Sequence, residues 1–242
     1  MPGVLELVEA HRGTVLPPDQ VRALAFALGD RGYDLVLGLR RHRDWTALRP
    51  RACQAALESL RKTYRMVVAD VDADVEGDDQ CGSTDVEDRN VLARSTLGHA
   101  DLVLAVGVAG IAGVHSQLRV IRDLLELGVD AGRIVPVVNR APRPPRQRSE
   151  IGSALTGLLA ATSPDAALAS TPVFIPERRR LAEALRDNVP PPAPLVKPLV
   201  GAVRGLLERA RHAQAPREPS PEPVLVAPGS LGSWTLDDAT EP

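Results

Sequence analysis

Lysine, cysteine, aromatic residues and long apolar runs are all scarce in this sequence. Lys62 and Lys197 are the only lysines among 29 basic residues, and aromatics are 2 % of 242 residues. A compositional bias toward alanine, arginine and proline accounts for both. The lysine shortage has a chemical consequence. A phosphate-binding loop of the form G-x-x-x-x-G-K-[ST] cradles phosphates with backbone N–H groups and one lysine. Neither lysine follows a glycine, so that loop is absent from these residues.

The two cysteines, Cys53 and Cys81, lie far apart and in no metal-ligand spacing. Free thiols in a reducing compartment are the plain expectation. There is no H-E-x-x-H, C-x-x-C or G-x-S-x-G. His11, His42, His99, His115 and His212 form no metal pattern and are expected as surface or packing residues. No apolar run approaches the roughly 20 residues needed to span a bilayer. No charged-then-apolar leader opens the chain, so a soluble, cytoplasmic protein is expected. Formal net charge is −2, which gives no global basic field for nucleic acid.

What is present alternates between two periodicities. Five apolar runs predict strands: Tyr33–Leu39, Arg65–Ala69, Leu102–Val106, Ile134–Val138 and Pro172–Ile175. The middle three are nearly continuous in Val, Leu and Ile, as in strands covered on both faces. Helical spacing marks Val4–Ala10, Asp19–Leu28, Ala47–Thr63, His115–Leu127, Arg148–Leu159 and Glu177–Arg186, and Gly128 supplies a helix stop. The alternation predicts an α/β fold, a doubly wound and mainly parallel sheet with helices on both faces. The chain divides into an α/β domain at 1–187 and a proline-rich linker at 188–194. An amphipathic helix at 195–212 and a Pro/Glu/Ser/Gly-rich tail at 213–242, expected to be disordered, complete it. Trp234, with Leu231 and Leu236, is a stray aromatic or a short docking segment.

Three features bear on chemistry. Asp70, Asp72, Asp74, Glu76, Asp78 and Asp79 crowd just past the run Arg65–Ala69, at the edge where open α/β sheets bind ligands. An aspartate there can hold Mg²⁺ against phosphate oxygens; a solvated acidic loop is the alternative. A calcium loop fails on spacing, because Val75 stands where glycine is needed and Cys81 where glutamate is needed. Gly107, Gly110 and Gly113 lie between a predicted strand and helix, but not in G-x-G-x-x-G spacing. A glycine turn that permits close packing is the plainer reading. Asn139, ending VPVVNR, can donate to and accept from an adenine edge, or serve as an ordinary turn residue.

The order YRMVVADVDAD, ADLVLAVG, LGVDAGRIVPVVNR, TPVFIPERRRLAEAL resembles the latter part of MinD/ParA-type P-loop ATPases, in particular variants of pilus-assembly and cell-positioning systems. The resemblance covers about Thr63 to Leu185, with a weaker match at Gly3–Leu39. It implies a P-loop NTPase-like core lacking its first strands, ATP and Mg²⁺ as ligands, and a homodimer or partner protein. Residue by residue, it implies Asp70, with Asp72, at the metal, and Asn139 and Arg140 at the adenine. Pro176, with Phe174–Ile175, would close over the base, and Asp85–Arg94 would respond to nucleotide. It also raises peripheral membrane contact through 195–212, although packing on the sheet is the plainer role of such a helix.

Departures stand against it: these residues hold neither the phosphate loop nor the strand before it, and no glycine follows Asp70. Three readings follow. The chain is part of a longer ATPase acting as a positioning or assembly switch; it is a non-catalytic interaction module; or it is a dinucleotide-binding α/β enzyme. The first requires Asp70 and Asn139 to face one cleft.

Overall fold

The structure is a computed structural model, described for residues 3–12, 15–75, 90–162, 171–178, 181–187 and 189–213. It opens with helices α1 (Val4–Ala10) and α2 (Pro18–Ala23), then a hairpin of β1 (Phe26–Leu28) and β2 (Tyr33–Leu35). Helix α3 (Pro50–Thr63) follows a 3₁₀ turn at His42–Ala47, and α4 (Val91–His99) precedes the main sheet. That sheet and its helices run β3 (Val103–Val108), α5 (Ile111–Glu126), β4 (Ile134–Ala141), α6 (Pro145–Thr162), β5 (Val173–Pro176), α7 (Leu181–Arg186) and α8 (Ala193–Ala213).

The fold is α/β. β3, β4 and β5 form a three-stranded parallel sheet in that order, with Val103 opposite Ile134 and Val137 opposite Val173. Helices lie on both faces. Ile121 and Leu124 of α5 and Leu155 and Leu159 of α6 close over Val103, Ala105 and Ile134. On the other face Leu199, Ala202 and Leu206 of α8 pack on Val135, Val137 and Val173. The apolar side of α8 is thus spent on the sheet. Among the described residues no helix is long and apolar enough to cross a membrane. A third cluster joins Leu7, Val8, Val21, Leu48, Cys53 and Ala56 of the N-terminal helices.

Local chemistry explains the element ends. Pro50 opens α3, where its missing N–H has no partner to lose. Gly128, at φ +86°, ends α5: its N–H reaches Leu125 O at 2.9 Å and the Val129 N–H reaches Leu124 O at 3.0 Å. Gly113 lets α5 lie against the end of β3. A Cβ there would collide with the Val108 carbonyl oxygen, which supports the packing reading of the glycine-rich turn.

Two strand predictions are corrected. Tyr33–Leu39 is strand only over Tyr33–Leu35, and it pairs antiparallel with β1 outside the main sheet. Phe26–Leu28, predicted as the end of a helix, supplies its partner, because the turn through Gly32 at φ +71° folds the chain back. Arg65–Ala69 belongs to no strand, and the chain bends at Arg65. Among the described residues its backbone groups make no hydrogen bond, and Met66 and Val68 are 65 % and 86 % exposed. A run of β-branched residues becomes a strand only beside a partner that takes its N–H and C=O groups. The tail from residue 214, with Trp234, lies outside the described residues, as do Glu76, Asp78, Asp79, Cys81 and 85–89 of the Asp85–Arg94 segment. Asn90–Arg94 leads into and begins α4.

Candidate functional site

The carboxyl edge of the parallel sheet gathers part of the predicted site. Val108 stands opposite Asn139 and Ala141 opposite Pro176, so the ends of β3, β4 and β5 lie side by side. Ligands in open α/β sheets bind at this edge. The register slips between Val138 and Ala141, and Arg140 within that slip has φ +52°. The left-handed residue turns the strand out of line. Asn139 supports it: its Oδ1 accepts the Arg140 N–H at 2.9 Å. Asn139 lies inside β4, opposite Val108, and its side chain braces the slip. Among the described residues its Nδ2 donor and one Oδ1 lone pair take no further partner. The Arg140 side chain is exposed, and Pro176 is half-buried next to Glu177, whose N–H donates to Ala141 O at 3.2 Å.

Asp70 and Asp72 come from a different segment, which follows α3. Both are exposed and follow the unpaired Arg65–Ala69 segment. Val71 and Val75 pack on the cluster that contains Val103, Ala105 and Ile134. No hydrogen bond or ion pair joins Asp70 or Asp72 to Asn139, Arg140 or Pro176 among the described residues. The Asp72 Oδ1 instead accepts the Asp74 N–H at 3.1 Å, a local turn. No group of three His, Cys, Asp or Glu able to hold a metal occurs among the described residues. Mg²⁺ asks for less than that, commonly one or two carboxylates completed by waters and phosphate oxygens.

Purine triphosphate fits these residues in part. The base end has a donor and an acceptor at Asn139. No described lysine or glycine loop meets the β- and γ-phosphates, and no hydrolytic step follows from this chain.

Two features escaped the sequence reading. A groove of about 550 Å³ runs between α6 and β5, lined by Arg148, Ser149, Gly152, Ser153, Thr156 and Phe174 among others. It shares Phe174 with the predicted base loop. His11 and Ser59 form a buried pair, with His11 Nε2 at 2.7 Å from Ser59 Oγ and Nδ1 at 2.8 Å from Leu7 O. A carbonyl only accepts, so Nδ1 carries the proton and Nε2 accepts from the serine. With both side chains inside the N-terminal core, this is a packing histidine.

Comparison with known proteins agrees with this architecture. No protein-family model matches the sequence, and no curated protein matches it. The fold is similar to the crystal structure of a ParA family ATPase from Chlorobium tepidum TLS, with a TM-score of 0.50 and 14 % sequence identity, over 88 % of this chain and 76 % of that one. At that identity the likeness is one of fold: a ParA-like α/β core.

Proposed function

We propose that the chain is the nucleotide-sensing part of a MinD/ParA-type ATPase, working as a positioning or assembly switch. The observation that carries the reading is the turned-out Asn139–Arg140 pair, level with Pro176 at the carboxyl edge of a ParA-like sheet. Asn139 reads the adenine edge, Arg140 flanks it and Pro176 closes over it. Asp70 and Asp72 serve Mg²⁺ once phosphate oxygens complete the shell. Nucleotide then promotes pairing with a second copy or a partner protein.

Calorimetric titration of residues 1–242 with Mg-ATP and Mg-GTP tests this. The expected result is weak, Mg²⁺-dependent binding that favours ATP and falls at least about tenfold in Asn139→Ala, the loss of one good hydrogen-bonding pair. Equal affinity for GTP, or ATP binding indifferent to Asn139→Ala, would overturn the assignment. No turnover is expected, because nothing here stabilises charge on the transferred phosphoryl group. A second reading, a non-catalytic interaction module, is favoured by one observation: among the described residues β3 pairs on one side only.

A further inference from the structure

The groove between α6 and β5 joins an apolar floor to a basic lip. Phe174 is half-buried in it, and its ring lies 3.5 Å from where a Cβ on Gly152 would stand. Arg148, Ser149, Ser153 and Thr156 of α6 line the same groove. Arg148 is half-buried, and among the described residues it makes no ion pair and no side-chain hydrogen bond. Arg140 and Arg143, on the way into α6, are exposed and form no ion pair either, whereas Arg146 holds Glu150 at 3.0 Å. Glu150 and Glu177 are the only acids within 134–162 and 171–178, so positive charge prevails around the groove. A half-buried guanidinium beside an aromatic floor suits a large apolar side chain followed by a carboxylate.

The sequence supplies that pattern beyond the described residues. Leu231, Trp234 and Leu236 are followed at once by Asp237 and Asp238, with Glu241 close behind. From residue 214 onward the acids are Glu218, Glu222, Asp237, Asp238 and Glu241, against the single base Arg217. The charge is thus opposite to that of the groove. Helix α8, from which this stretch departs, is seated on the same strand. Leu206 of α8 packs with Val173 of β5, and the next residue, Phe174, faces the groove on the other side of that strand. Among the described residues β5 pairs with β4 alone, so no further strand bars the way around it. The eighteen residues from Gln214 to Leu231 reach up to roughly 60 Å. A domain of this size is about 40 Å across.

We infer that residues 231–238 of the chain's own carboxyl-terminal stretch dock in the α6–β5 groove. The Trp234 indole lies against Phe174, and Asp237 and Asp238 answer Arg148 and Arg143. The hydroxyls of Ser149, Ser153 and Thr156 meet the backbone of the docked segment. A weak contact is enough, because the tether holds the segment near the groove at an effective concentration of about 1 mM. A contact with a Kd of about 0.1 mM then stays closed about ten to one. The same segment of a second copy is the poorer occupant at micromolar protein, since it competes with the tethered one. No nucleotide enters this inference, so it stands or falls apart from the proposed ATP site.

The test uses the full chain of residues 1–242. Trp45→Phe leaves Trp234 as its one indole, and acrylamide quenching of that indole is compared with a synthetic peptide of residues 229–242. Quenching in the chain should be at least about threefold weaker than in the peptide, as a mostly closed tether requires. Arg148→Glu should restore free quenching with unchanged circular dichroism, and adding Asp237→Arg with Asp238→Arg should bring the protection back. Raising salt to about 0.5 M should weaken the protection, since exposed charge pairs are screened. The unsubstituted chain labelled with 5-fluorotryptophan gives a second reading, in which the Trp234 fluorine signal should differ from that of the peptide and return to it in Arg148→Glu. Quenching and a fluorine shift equal to the peptide's would overturn the inference. So would protection that Arg148→Glu leaves intact, because the indole would then lie elsewhere. Protection lost on dilution would overturn it too, since the occupant would be the segment of a second copy.

Discussion

Two apolar runs, MVVA at 66–69 and LVLAV at 102–106, look alike in sequence and end differently. The second is the body of β3, held by β4 with Val103 and Ala105 buried. The first belongs to no strand, with no backbone partner among the described residues and its side chains exposed. Composition does not separate them; pairing does. A strand leaves its hydrogen bonds for a neighbour to complete, and hydrophobic burial on a sheet follows once that neighbour is in place.

The largest expected effect contrasts the interiors beside the two runs. Ile121→Ala, fully buried beneath β3, should cost about 2–5 kcal/mol in urea unfolding. Val68→Ala should stay within about 0.5 kcal/mol, as for an exposed side chain. If the Val68 change costs as much as the Ile121 change, Arg65–Ala69 is packed in solution and the contrast is void. Next comes the seat of α5 on β3. Gly113→Ala drives a methyl onto the Val108 carbonyl and should destabilise by about 1–3 kcal/mol. Gly157→Ala, in α6 with open space around it, should be neutral or stabilise by up to about 1 kcal/mol. Thermal melts of the two variants should move in opposite directions.

The third concerns the root of the unpaired segment. Ser59→Ala in α3 leaves His11 Nε2 without its buried partner and should cost about 1–3 kcal/mol, read by chemical denaturation. The smallest is a pH effect one residue before Arg65. Burial, the hydrogen bond to Asp34 at 2.8 Å and the charge of Asp34 push the Tyr64 hydroxyl up to about 12, while Arg22 near its ring pulls the other way. The folded state therefore holds this proton more tightly than the unfolded chain. Its contribution is complete below about pH 10 and disappears as pH rises toward 12. Tyr64→Phe should flatten the stability profile in that window, and an unchanged alkaline slope would show that the bond to Asp34 does not hold the Tyr64 proton in the folded state.

Much of the fold was legible. Val4–Ala10 is the helix its spacing predicts, Gly128 ends α5, and the last three apolar runs are the parallel sheet. The His115–Leu127 periodicity found α5 but missed its first turn, because Ile111 at that end faces solvent and breaks the apolar rhythm. The hairpin was missed because Phe26–Leu28 continues the Ala/Leu pattern of α2, and the reversal depends on a left-handed Gly32. For the site, Asn139 was legible at the carboxyl end of a buried strand, although β4 runs on through it to Ala141. The left-handed Arg140 beside it was not, since nothing in an Asn-Arg pair announces a register slip.

Sequence alone determined elements whose hydrogen bonds close locally, helices α1, α3, α5 and α6 with the Gly128 stop, and the apolar character of each run, whereas α4 went unpredicted and α2 was drawn too long. Tertiary structure alone decided which runs became strands, their order, and which faces were covered. Those outcomes depend on segments far apart in the chain meeting edge to edge, and a strand cannot satisfy its own backbone as a helix can.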